Sequence, residues 1–342
     1  MDSTLRETTI ETGQSWQIDR FRADDAEGVV RLFQAVYGDA YPIATFNNPR
    51  RLTEANEAKQ TISCVARTAK GDIIAHVAMF QSAPHQGLYE SGAGLVLPSY
   101  RAGSIMTKLL EYSYLVADQI GVECLFGEPV CNHTHMQKVG VNHGFTVRAL
   151  SIDLMPEATY ELEKRGLGRV SVTEEFRILK AIPQTVYFPP VYTPIRDFLY
   201  EGMADQRQLL PAEAELPVDT ATRVSTQVFD FAQVARINVV EAGRDLAECC
   251  RKEEENLVEK GVVVVQVWLR LGWPWAGAAT KALRARGYFL GGILPYWFGT
   301  DGLLLQKILG PPNWGGIQLY TDRAKTLLEL VHLDWGRVAQ VT

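Results

Sequence analysis

The sequence is short of several things, and each shortage removes a class of function. Cysteine is scarce: Cys64, Cys124, Cys131, Cys249 and Cys250 are the only 5 in 342 residues, and no Cys-x-x-Cys pair occurs. Neither a disulfide framework nor a structural zinc site is indicated, and buried free thiols are expected. Basic excess is also missing. The chain has 34 Lys and Arg against 40 Asp and Glu, a formal net charge of −6, and no Lys/Arg cluster interleaved with aromatics, which disfavours nucleic acid as a partner. No apolar run reaches the ~20 residues that a membrane helix needs, and the first residues, Met1-Asp-Ser-Thr-Leu-Arg-Glu7, carry no apolar signal core. These absences lead us to expect a cytoplasmic protein with no membrane partner and no metal. What is present is 46% hydrophobic and 10% aromatic residues, enough for large cores and, at this length, for about two domains.

The most informative stretch is Gly94-Leu-Val-Leu-Pro-Ser-Tyr-Arg-Ala-Gly-Ser-Ile-Met-Thr-Lys-Leu-Leu110. Strand signals fill 88–97, and Ile105, Leu109, Leu110, Leu115 and Ile120 then recur at roughly helical spacing, so the period changes across the small residues Ala102, Gly103 and Ser104. Small residues let a backbone approach a ligand closely, and the first N–H groups of a helix lack internal partners and carry the positive end of its dipole. That combination suits an anion such as phosphate.

Around this loop the sequence predicts a strand at 16–21 and a helix at 24–37 capped by Asp24. A polar helix at 49–60, a hairpin of 62–67 with 73–80, and the strand from 88 follow, and after the loop a helix to Gly121. A strand at 124–130, a helix at 133–142 and a strand at 145–154 complete the run. A further strand at 170–179 is assigned to the same half.

Val96-Leu-Pro-Ser-Tyr-Arg-Ala-Gly-Ser-Ile-Met106 resembles the pyrophosphate loop of the GNAT family of N-acetyltransferases, whose pattern is Q/R-x-x-G-x-G/A after a strand ending in V-x-P. Arg101 matches the first position, while Ser104 and Met106 stand where small glycine-type residues are usual. The element order β-α-α-β-β-β-α-β-α-β is also that of the family, and His143-Gly-Phe145 is similar to its Gly-Phe ending. The resemblance implies acetyl-CoA as co-substrate, held by Val96, Arg101, Ala102, Gly103, Ser104, Ile105 and Met106. Asn132 matches the asparagine that the family places at the next helix. The family's tyrosine acid, one turn before Gly-Phe, falls at Gly140 and is therefore missing; His135 or Cys131 is an alternative proton donor, with His133 and His135 as helix-start residues the plainer reading. Glu90, early on the loop-bearing strand, matches the family's catalytic glutamate and would accept a proton from an incoming amine. It would share a face with Gly92, Gly94 and Val96 unless a bulge shifts the register. His76 and His85 are weaker candidates for lining an acceptor cleft.

After Ile182-Pro-Gln-Thr-Val-Tyr-Phe-Pro-Pro190, read as the crossing between halves, a helix is expected at 194–206, strands at 222–231 and 235–240, and a helix at 244–260. Then Val262 to Leu269, Ala276 to Arg286 and Gly287-Tyr-Phe289 repeat the earlier strand, helix and Gly-aromatic ending. The resulting expectation is an α/β protein of two GNAT-like domains, 1–183 and 184–342, each a mixed, mostly antiparallel sheet flanked by helices. The second domain is expected to bind no CoA, because Glu241-Ala-Gly-Arg-Asp-Leu-Ala247 puts acidic residues where the phosphate loop would lie. The function that follows is acyl-CoA-dependent N-acyl transfer, most simply of acetyl to a primary amine of a small molecule or peptide. A non-catalytic acyl-CoA-binding module acting through a protein partner is the alternative.

Overall fold

A computed structural model describes residues 10–38, 41, 43–101, 103–157, 168–203 and 207–340. Ala102 lies outside the described residues, as does most of the charged stretch after Met155. The chain is mixed α/β and divides into two compact units, 1–125 and 126–342. This contact-based division falls earlier than the sequence-based boundary at 183/184.

The first unit contains β1 (Trp16–Arg20), α1 (Ala26–Tyr37), α2 (Pro49–Glu57), β2 (Thr61–Thr68), β3 (Ile73–Phe80), β4 (Leu88–Val96) and α3 (Ile105–Ile120). The four strands pair in the order β1-β2-β3-β4, all antiparallel. Helix α1 starts at Ala26, with Asp25 rather than the expected Asp24 at its N-cap, because a short 3₁₀ turn at Ala23–Asp25 precedes it. The Asp25 carboxylate does not cap the helix. It accepts the Arg22 N–H at 2.7 Å and both arms of Arg67 at 2.8 and 2.7 Å, tying the helix entry to β2. Helix α2 is capped as its sequence suggests, by Asn48 accepting the Arg51 N–H at 3.0 Å with Pro49 in the first turn. His76 meets the Phe33 ring of α1, whereas the next residue, Val77, lies beside Gly94 and Met106 of α3, so α1 and α3 cover opposite faces of the sheet.

The chain passes from one unit to the next within β5 (Cys124–Gly127). The second unit then holds α4 (His135–Asn142), β6 (Thr146–Met155), β7 (Val170–Ile178), β8 (Gln184–Phe188), α5 (Arg196–Tyr200), β9 (Arg207–Pro211) and β10 (Arg223–Phe229). After these come β11 (Val234–Glu241), α6 (Leu246–Glu259), β12 (Val264–Arg270), α7 (Ala276–Arg284), β13 (Phe289–Leu294), β14 (Gly302–Ile308) and α8 (Asp322–Ala339). Its main sheet runs β7-β6-β13-β14-β12-β11-β10, antiparallel except for the parallel pair β11 and β12 joined by the α6 crossover. Strands β6 and β13 pair at one position, Gly292 with Ala149. Beside it the Gln306 carboxamide serves in place of backbone, accepting the Ile152 N–H at 2.8 Å and donating to the Leu150 carbonyl at 2.9 Å.

Several elements differ from the sequence expectation. The helix expected at 194–206 is reduced to α5, Arg196–Tyr200, and strands β9 and β14 have no counterpart in the sequence reading. The proline-bounded segment read as a crossing forms β8, paired in parallel with β9 in a separate two-stranded sheet. The C-terminal α8 was not anticipated. Its Asp334 is buried and accepts hydrogen bonds from Tyr192 Oη at 3.0 Å, Arg284 at 2.6 Å and the Leu290 N–H at 2.8 Å, fixing the helix to β13. Among the described residues, no helix is long and apolar enough to cross a membrane.

Candidate active site

The site begins with a defect in β4. Leu95 pairs with His76 and Gly92 with Ala78, so β4 spends one residue more than β3 over the same stretch. The extra residue is a bulge with Ala93 at φ 50°, a left-handed conformation that costs an L-residue about 1–2 kcal/mol. Its carbonyl is bound by the buried His76, whose Nδ1 lies 2.9 Å away. The bulge answers the conditional reading of this strand. Glu90 and Gly92 share a face, since a Cβ at 92 would stand 3.6 Å from Glu90 Oε1 and 3.2 Å from the Phe80 ring. Gly94 is turned to the other face, where a Cβ would stand 3.5 Å from Met106 Cε.

Beyond the bulge the strand stops because Pro98 brings no N–H, and a 3₁₀ turn at Pro98–Tyr100 redirects the chain. Tyr100 anchors that turn, its hydroxyl donating to the Glu11 carbonyl at 2.7 Å. Arg101 Nε donates to the Val96 carbonyl at 3.1 Å, which closes the loop back on the strand. Arg101, Gly103 and Ser104 are exposed, and Ser104 sits at the N-cap of α3 without using its hydroxyl as a cap. The first amides of α3 therefore open onto a cavity of about 300 Å³ whose lining includes Tyr37, Gly94, Val96, Arg101, Gly103 and Met106. The space a Cβ would take at Gly103 is empty. Of the residues assigned to the co-substrate, Val96, Arg101, Gly103, Ile105 and Met106 line this one cavity, and Ser104 adjoins it at the cap.

Glu90 is half-buried and accepts a hydrogen bond from Ser82 Oγ at 2.8 Å. Tyr41 is held above its ordinary pKa by burial first and then by the charges of Tyr37 and Glu90. Tyr41 belongs to a cluster with Phe33 at 4.6 Å, Tyr37 at 5.0 Å and Phe46 at 5.9 Å between ring centroids. Sequence reasoning missed this wall; the only signal was the density of aromatic residues between 33 and 46. His85 is drawn away to Glu123, 2.6 Å distant.

Comparison with known proteins gives a likeness in structure alone. No family model matches the chain, and no curated protein matches it. Among solved structures, an N-acetyltransferase from Staphylococcus aureus Mu50 is similar over 48% of this chain and 99% of its own, at 14% identity and a TM-score of 0.40. The ribosomal-protein-S18-alanine N-acetyltransferase of Escherichia coli is similar over 51% of this chain and 100% of its own, at 15% identity and 0.39. The protein yncA of Salmonella typhimurium, solved with its cofactor acetyl-CoA, is similar over 48% and 95%, at 15% identity and 0.39. At this level of likeness the architecture stands on the element order and strand register described above.

In the second unit, Asn132 is 4% exposed, and neither side-chain atom has a partner among the described residues. An orphaned buried amide of this kind is costly and calls for a ligand or water. His135 is exposed in the first turn of α4, and its backbone N–H is 3.3 Å from His133 Nδ1, so His133 is a helix-start acceptor. Cys131 is fully buried and its thiol is pushed up by desolvation, with Glu175 and Glu174 adding to the effect. Gly140, where the family tyrosine would stand, has its side-chain space filled: a Cβ there would overlap the Glu175 carboxylate. Glu175 on β7 is 1% exposed, receives Thr173 Oγ1 at 3.1 Å, and is pushed up to about 8 by burial. Gln137 is a second residue that the sequence did not reveal. It is buried, donates to the Gln318 carbonyl at 2.9 Å and accepts the Tyr320 N–H at 2.9 Å.

Proposed function

We propose that the chain is an acyl-CoA-dependent N-acyltransferase, most simply moving acetyl from acetyl-CoA to a primary amine while both are bound. The observation that carries this reading is the bulged β4 running into an open, uncapped helix N-terminus around a single cavity. Acetyl-CoA would supply an activated thioester. Arg101, Ala102, Gly103, Ser104, Ile105 and Met106 would hold its pyrophosphate through charge and backbone N–H groups, with Val96 beside them on the strand. For Asn132 and His135 the roles remain those that the resemblance implies, co-substrate contact and proton donor. Glu90 would accept the proton that an incoming ammonium must lose before it can attack. The division into GNAT-like domains 1–183 and 184–342 belongs to the same proposal, supported by the recurrence of strand, helix, strand, helix, strand from β11 to β13.

Free thiol should appear when the protein is offered acetyl-CoA with a panel of primary amines and peptides. Glu90→Gln should lower that turnover by roughly 100-fold, with CoA affinity unchanged, and the loss should shrink at high pH, where more amine is already neutral. Turnover like that of the native chain would return Glu90 to the role of a solvated carboxylate. The alternative, a non-catalytic acyl-CoA-binding module, draws support from Gly140, whose neighbour Glu175 leaves no room for a tyrosine. That reading expects CoA to bind and no amine to release thiol.

A further inference from the structure

The bulge in β4 needs a cause, because Ala93 is an L-residue in a left-handed conformation and nothing in Ser-Gly-Ala-Gly94 requires the extra residue to sit there. We propose that His76 is a positioning residue that sets the β4 bulge, and that Ser63 and Asn56 hold its ring in the one tautomer able to do so. The bulge itself stands on the strand register; its consequence for acyl transfer rests on the function proposed above.

The assignment follows from donor and acceptor chemistry. The Ala93 carbonyl can only accept, so Nδ1 of His76, 2.9 Å away, carries the hydrogen. In a neutral ring Nε2 must then accept, and the Ser63 hydroxyl at 3.0 Å must donate. Ser63 is prepared for this, because Asn56 Nδ2 donates to its oxygen at 3.3 Å and also to the Leu52 carbonyl at 2.9 Å. Asn56 cannot turn round, since its Oδ1 accepts the Ser63 N–H at 2.8 Å. The direction of every bond is thereby fixed, from Asn56 on α2 through Ser63 on β2 and His76 on β3 to Ala93 on β4. The ring is fully buried and held edge-on by Phe33 at 5.3 Å and Phe46 at 5.4 Å, and its pKa is lowered to about 4 by that burial, so it stays neutral. The opposite tautomer would set a lone pair of Nδ1 against the carbonyl lone pairs.

The consequence is geometric. A slip of one residue exchanges the two faces of a strand. Without the bond to Ala93, β4 can shed the bulge, and Gly94 would then turn from Met106 and the cavity to the face of Glu90. His76 therefore sets which side of β4 faces the loop at 101–106.

Two substitutions separate the two ring nitrogens. His76→Asn keeps an N–H donor near the place of Nδ1, whereas His76→Gln keeps a polar group near Nε2 and gives up the bond to Ala93. We expect His76→Asn to retain kcat within about threefold, and His76→Gln to lose at least tenfold in kcat with less than a threefold change in KM for acetyl-CoA. Crystal structures of both variants should show the bulge kept in the first and lost in the second. Equal losses in both, with β4 in its native register, would overturn the proposal. Nitrogen-15 NMR of the native chain gives a test that needs no variant: the His76 ring must be neutral with its proton on Nδ1, and a proton on Nε2 sinks the assignment. If the native chain releases no thiol with any amine, acyl transfer fails, while the tautomer and the variant registers still decide the role of His76.

Discussion

Two turns of the same topology, each a strand running through a short loop into a helix, are built to opposite ends in the two units. Between β4 and α3 the loop is open: Gly103 is exposed with empty space where a Cβ would go, and the Ser104 hydroxyl is not spent on capping. Between β11 and α6 the loop is filled by its own chain. The Gly243 N–H is taken by Thr222 Oγ1 at 3.0 Å, the Arg244 N–H by the Pro217 carbonyl at 3.1 Å, and a Cβ at 243 would overlap the Thr220 carbonyl oxygen. Asp245 stands at the N-cap of α6 and accepts from the Thr222 N–H at 2.9 Å, so a carboxylate already occupies the positive end of the helix. Strand-loop-helix topology alone does not make an anion site. What decides is whether the loop's own amides are already bonded and whether a charge of the same sign is already there.

The units also differ in the titratable group each buries, which gives the largest expected effect. His76, with a pKa lowered from 6.5 to about 4, is neutral in the folded first unit, so only the unfolded chain takes up a proton between those values. Folding of that unit should gain on the order of 3 kcal/mol as pH rises from 4 to 6.5 and then level off. Glu175 in the second unit has its pKa raised from 4.5 to about 8 and is protonated when folded, so only the unfolded chain loses its proton in that window. Its contribution is complete below 4.5 and falls by on the order of 5 kcal/mol as pH rises to 8. Hydrogen exchange followed by mass spectrometry on peptides from β3 and β7 should therefore show protection changing in opposite directions with pH. Glu175→Gln should abolish the trend in β7 alone. Parallel trends in both strands would remove the contrast.

How much of this was legible in the sequence follows from what each residue type announces. The alternation and helical spacing of apolar residues gave the order from β1 to β6: Val29, Val30, Leu32 and Phe33 on α1 and Ile105, Leu109 and Leu110 on α3 are buried as their period requires, whereas Leu115 and Ile120, read in the same period, are exposed. The loop was legible because small residues mark a change of period. The bulge entered only as a condition that the resemblance allowed: Ser-Gly-Ala-Gly94 permits many conformations, and the hydrogen bond that meets Ala93 comes from His76 on another strand. In the sequence strand β8 reads as a crossing segment because prolines flank only five residues, although Val186 and Phe188 alternate inward. Glu175 was hidden for the opposite reason. Val-Thr-Glu-Glu-Phe176 looks like a strand with one wet face, yet both glutamates are buried, and a partner as featureless as Gly140 leaves no trace in the sequence.

A smaller effect tests the two loops directly through their glycines. Gly243→Ala must displace the Thr220 carbonyl, and a backbone shift of that kind costs roughly 3 kcal/mol. Gly103→Ala meets nothing and should change stability by less than about 0.5 kcal/mol. Urea unfolding of the two single variants measures the difference. Equal costs would mean that the second loop can open as readily as the first, and the contrast between them would fail.

The smallest expected effect concerns the ligand itself and bears on the comparison most closely. If the open loop holds the pyrophosphate of CoA, making it resemble the closed loop should weaken binding without unfolding the chain. The double variant Gly103→Asp with Ser104→Asp puts carboxylates at the positive end of α3, where Asp245 already stands on α6. Like charges on an exposed loop are partly screened, so we expect CoA affinity to fall roughly tenfold, about 1.4 kcal/mol, and the loss to shrink at high salt. Isothermal calorimetry on the native chain should meanwhile saturate at one CoA, since the amides of the second loop are engaged. An unchanged affinity in the folded double variant would remove CoA from the 101–106 loop. Saturation at two would show that the β11–α6 turn opens to admit an anion after all, and that its own hydrogen bonds are weaker than the ligand's.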